Sequence, residues 1–145
     1  MRYQEVGRLF LAVFCVLQGA GTLALDLNRT HAGHPRWLGH ARFHVVWQAS
    51  TTALLAILEV FLIAWRGPLE QERFYLVALL ASLPMFGFFA AMLTRKIYGG
   101  TLSDPGGIPP LNLVMFGRSR RIDLNLVAEI LGVASVAVLV ILYRH

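Results

Sequence analysis

Four long apolar runs, separated by polar and turn-rich connections, dominate the pattern of this chain. They cover residues 6–25, 44–65, 74–93 and 124–143, each close to the roughly 20 helical residues that cross a bilayer core. The pattern predicts an all-α, polytopic membrane protein, a four-transmembrane-helix bundle forming one domain over 1–145. The first run follows Arg2 and Arg8 as a signal peptide would, yet it is long for that role and leads into D-L-N-R-T-H. Without a small-residue cleavage site it reads as a retained helix. Pro84 and Gly87 predict a loosened or kinked third span. The longest connection, 94–123, contains G-G-T-L-S-D-P-G-G-I-P-P, a run of turn residues. Residues 111–117 are apolar but too short to span, and are expected in the membrane interface or folded back as a lid.

Polar positions inside these runs form stripes. His40, His44 and Gln48 recur at spacing four, prolonged by Thr51 and Thr52; Gln18, Thr22 and Asp26 do the same in the first run, and Asn125 and Glu129 in the fourth. Spacing four puts side chains on one helix face, and hydrocarbon cannot satisfy such a face. All three stripes lie at the end carrying the two long connections. At 1.5 Å rise per residue, Glu129 sits roughly 7 to 10 Å inside its span, near the depth of Gln48 and Thr22. A polar cavity opening toward the long-loop side is therefore expected, walled by Gln18, Thr22, Asp26, His44, Gln48 and Glu129. Simpler roles compete with it. Asp26, His31, His34 and His40 can be interfacial residues, Trp37 an interfacial anchor, and Glu129 can pair with Arg42 or His44. Glu59 can pair with Arg66 at the other face. Phe86, Phe88 and Phe89 suit lipid or packing, and Trp47, Trp65, Tyr98 and Tyr143 suit the interfacial belts.

Composition narrows the partners. The chain is 57% hydrophobic and 14% charged, with a formal net charge of +5, an apolar excess that fits a membrane protein. Its 13 Lys/Arg residues lie mostly between the runs, which favours the lipid bilayer as partner and argues against nucleic acid. Eight of the 13 fall in the two long connections. The positive-inside bias then predicts cytoplasmic long loops and external termini, in an inner or plasma membrane. The single Cys15 has no disulfide partner within the chain. A bundle this small has little interior, which is compatible with a homo-oligomer.

Three chemistries suit the predicted cavity. A metal site would use His40 and His44, one turn apart, completed by His31, His34 or Asp26. An acid/base site would use His44 with Glu129 or Asp26, and Gln48 beside them, moving a proton on a lipophilic substrate that arrives from the bilayer. Haem would need one axial imidazole and a wide apolar slot. That last option rests on W-L-G-H-A-R-F-H at 37–44, which resembles the second-helix entrance of styrene oxide isomerase, a four-span membrane enzyme family whose W-A-R-x-H motif supplies the axial histidine of a ferric haem. Ala41, Arg42 and His44 match, and Trp37 matches with an insertion before Ala41. The resemblance implies haem b, His44 as iron ligand, and opening of an epoxide to an aldehyde. Ser50 and Phe89 stand where that family carries an asparagine and a tyrosine. The favoured expectation is a membrane-embedded isomerase acting on a lipophilic small molecule; the alternative is a non-catalytic four-span protein, a small carrier or a partner subunit.

Overall fold

The computed structural model describes residues 2–103, 107–115 and 117–145. Residues 104–106 of the turn-rich stretch, and Phe116 of the short apolar segment, lie outside the described residues. Four helices, α1 (Arg2–Asp26), α2 (Gly39–Ala64), α3 (Glu70–Thr94) and α4 (Leu124–Arg144), are each long and apolar enough to cross a membrane. Even α4, with 21 residues, rises about 32 Å. It starts at Asp123, whose carboxylate accepts the Leu126 N–H at 3.1 Å, satisfying one of the donors that a helix start leaves open. α2 begins before its apolar run does, so His40 and Arg42 already ride on the helix. Pro84 sits within α3, which continues on both sides of it.

The helices pack in a ring. α1 lies against α2 and α4, α3 lies against the same two, and α2 and α4 occupy one diagonal. Dense packing is confined to the half nearer the chain termini, where Leu11 and Cys15 meet Ile63, Phe74, Val77, Val136 and Tyr143. Tyr143 stacks on Phe74 with ring centroids 3.7 Å apart and planes 7° apart, so it belongs to the core and not to an interfacial belt. Gly19 lets α1 approach α2 closely, since a Cβ there would stand 2.6 Å from that of Ala56. The outside is apolar: Leu9, Leu17, Leu54, Ile57, Phe61 and Ile141 are all more than half exposed. A water-soluble monomer rarely shows that much apolar surface, and it accords with helices long and apolar enough to cross a membrane.

Charged groups knit the terminal end. Arg8, only 4% exposed, pairs with Glu70 and donates to the backbone oxygens of Ile63 and Trp65. Arg66 meets Glu5 in a two-armed contact, both distances 2.6 Å, and reaches Glu70 at 2.9 Å. The Glu5 contact foremost, with Glu70 adding to it, holds the Arg66 guanidinium above its ordinary range. Arg73 stacks over Trp65 and donates to its backbone oxygen at 3.0 Å. This overturns the expected Glu59–Arg66 pair: Arg66 is fully engaged elsewhere, and Glu59 is 0% exposed beside Cys15.

The segment at 111–117 also departs from expectation. It does not lie alone in the interface: Leu111–Met115 forms β1, paired antiparallel with β2, Arg118–Ile122. Gly117, at φ +70°, supplies the left-handed residue of the turn between them. Two five-residue stretches around a glycine can run with period two, and that period competes with a helical reading of so short a segment.

Removing Arg8 should therefore cost more than removing Arg66. Arg8→Ala leaves Glu70 half-buried without its main partner and is expected to destabilise the bundle by about 3 kcal/mol, the lower end for a broken buried pair because Glu70 keeps some solvent. Arg66→Ala breaks only exposed contacts and should cost much less. Unfolding of both variants in mixed micelles by denaturing detergent measures the difference.

Candidate functional site

Where the core ends, a cavity of about 890 Å³ begins, in the half of the bundle nearer the long connections. All four helices wall it. α1 contributes Thr22, Leu25 and Asp26, and α2 contributes His44, Gln48, Thr51 and Thr52 along one stripe. Asn125 and Glu129 come from the first two turns of α4. α3 closes the remaining side with Leu83, Pro84, Gly87 and Phe88. The polar stripes thus converge as their spacing predicts, while the α3 wall, with Val45 and Leu55 of α2, is apolar. A proline and a glycine on that wall lower its side-chain bulk.

Asp26, His44, Gln48 and Glu129 all face this one space. Gln18 does not. Its amide donates to the Ala81 backbone oxygen at 3.0 Å, so it ties α1 to α3 below the cavity floor. Glu129 pairs with neither expected partner in a way that closes the site: Arg42 instead donates to the backbone oxygens of His34 at 2.8 Å and Pro35 at 3.4 Å.

Those bonds shape the connection between α1 and α2 and bring in a residue that sequence reasoning assigned to the interface. His31 lines the cavity. Its Nδ1 lies 2.9 Å from the Thr30 hydroxyl, which bonds in turn to the Asn28 side chain at 2.5 Å. Trp37 packs edge-on against His31, centroids 5.7 Å apart, and against His34 at 5.5 Å. His34 is buried. Trp37 is therefore a packing residue that orients this loop, not only an interfacial anchor. The relevant signal was H-x-x-H-P-x-W itself: aromatic and imidazole groups at turn spacing that fold on each other. Trp47 and Phe88, read as belt and lipid-facing residues, also line the cavity. Tyr98 turns back to donate to the Ala91 backbone oxygen at 2.7 Å and does not line the cavity.

His44 and His40 meet through their Nε2 atoms at 3.1 Å, rings edge to face. One nitrogen must carry the proton and the other accept it. This pairing bears on the two ligand readings. Iron ligation by His44 Nε2 would have to break the contact with His40. For a metal ion, the described residues hold no group of three or more His, Cys, Asp or Glu side chains able to bind one. His40 is exposed and does not line the cavity. What the arrangement can do chemically is pass a proton, from a cavity-facing imidazole to an exposed one.

Glu59 stands apart. Neither of its carboxyl oxygens has a hydrogen-bond partner of ordinary geometry among the described residues, although Cys15 lies against it. On α2 it falls between Thr52, at the cavity, and Ile63, in the core.

If Arg42 holds the 27–38 connection, Arg42→Ala should raise amide hydrogen exchange there about tenfold or more, as loss of charged hydrogen bonds worth about 1.5 to 3 kcal/mol requires. Exchange followed by mass spectrometry reads this directly, with the α2 amides as internal reference. Against known proteins, the chain matches no family model, no curated protein and no solved structure.

Proposed function

We propose that this chain is a membrane-embedded isomerase that moves a proton on a lipophilic small molecule, with the cavity as its active site. The observation that carries the proposal is the convergence of His44, Glu129, Asp26 and Gln48, from three helices, on one space whose remaining wall is apolar. A cavity of this kind, mostly apolar with a few polar groups on one side, matches what small-molecule sites look like. His44 takes a proton from the bound molecule and hands it to His40 through the Nε2 contact, where solvent can exchange it. The Glu129 carboxyl, on the facing diagonal helix, returns a proton to a second position of the substrate, and Asp26 with His31 serves the mouth. The Gln48 amide N–H donates to the oxygen that gains negative charge during the transfer. We further place the cavity end in the cytoplasm, because most Lys/Arg residues lie in the connections at that end.

A second reading is favoured by Glu59. An ionisable group fully buried in a span, with no ion pair among the described residues, is by default functional, and it extends the polar line from Thr52 toward the Arg8 cluster. In that reading the protein is a small carrier.

Deuterium labelling tests the first reading. Purified protein in D2O, offered a panel of lipophilic ketones, enones and epoxides, should return deuterated and rearranged products by mass spectrometry. Glu129→Gln and His44→Ala should each lower the rate about 10²- to 10⁴-fold. Products that form without deuterium, or variants that both keep the rate of the unaltered protein, would remove it. The carrier reading instead expects proton uptake into reconstituted vesicles that Glu59→Gln abolishes.

A further inference from the structure

We propose that the β1–β2 hairpin is a lipid-binding element, which sets its β1 edge into an anionic leaflet and holds headgroup phosphates with Arg118, Arg120 and Arg121. The register places Leu113 opposite Arg120, and Asn112 opposite Arg121. Side chains alternate faces along each strand. Both faces of β1 therefore carry an apolar side chain, Leu113 on one and Val114 on the other, and both faces of β2 carry an arginine. Charge and apolarity are divided by strand and not by face. The two edges lie about 4.8 Å apart, a spacing that suits the boundary between acyl chains and headgroups.

Among the described residues nothing covers these groups. Val114 is 76% exposed, Leu111 and Leu113 are exposed, and so are all three arginines. No helix packs substantially against the hairpin. Among the described residues none of the three arginines has an acidic partner, and the nearby Asp123 is engaged in capping α4. A two-stranded hairpin alone is marginal in water and needs a surface to lie on. Connectivity supplies that surface: β2 ends at Ile122, one residue before the cap of a helix suited to cross the membrane. Arg95 and Lys96, just after α3, add positive charge at the same end. The adjoining apolar edge selects a lipid surface over a soluble polyanion.

The test uses the full chain with Cys15→Ala and Val114→Cys, carrying a nitroxide at position 114. It is reconstituted in nanodiscs of phosphatidylcholine alone or mixed with phosphatidylglycerol. With the anionic lipid, collisions of the label with oxygen should rise and those with a water-soluble nickel chelate should fall several-fold. Changing Arg118, Arg120 and Arg121 to Gln should reverse this, each arginine weakening the partition about fivefold. Changing all three to Lys should preserve it, which separates loss of charge from damage to the hairpin. A label equally exposed to water in both nanodiscs, or equally buried after the Gln changes, overturns the proposal. So does dipolar broadening between labels, which would assign the apolar edge to a second copy of the chain.

Discussion

Hydrocarbon offers a polar side chain no hydrogen-bond partner, and in a bundle of four helices apolar enough to cross a membrane this constraint bears on where the hydrophilic groups gather. The two ends answer it differently. At the terminal end the charges neutralise one another, Arg8 with Glu70 and Arg66 with Glu5, and backbone oxygens at the end of α2 absorb the remaining donors. At the other end the helices leave a space and turn their polar stripes into it. One end satisfies its polar groups by pairing, and the other gathers them around a shared space.

The four helices were legible because a run long and apolar enough to cross a membrane meets both a length and a composition requirement, and few other sequences meet both. The cavity was legible because spacing four survives any detail of packing: Thr22 and Asp26, His44 and Gln48, and Glu129 needed only to be helical to share their faces. What escaped depended on non-local partners. Gln18 belongs to the same stripe as Thr22, but the Ala81 carbonyl lies within its reach and takes its amide. Arg66 is near Glu59 in sequence, yet Glu5, about sixty residues away, outcompetes it through two bonds. Tyr143 looks like an anchor until Phe74 of another helix stacks on it. The hairpin escaped for a different reason, since five residues are too few to establish a period against the helical background.

Within the site, the loop between α1 and α2 has a role beyond connection. Trp37 is held against two imidazoles, and Arg42 reaches back from α2 to two loop carbonyls. The W-x-x-H-A-R-x-H stretch therefore acts as one structural unit, in which Trp37 and Arg42 set the loop while His40 and His44 form the imidazole pair.

Dense packing and empty volume divide the bundle along its length. Interiors at native density resist deformation, and the Phe74–Tyr143 stack lies in that dense half. A helix tilted by about 5° at the stack would carry its tip, some 20 Å away, by roughly 2 Å, by the geometry of a rod with 1.5 Å rise per residue. A substitution among those aromatic rings would thus reach the mouth from the opposite end of the molecule.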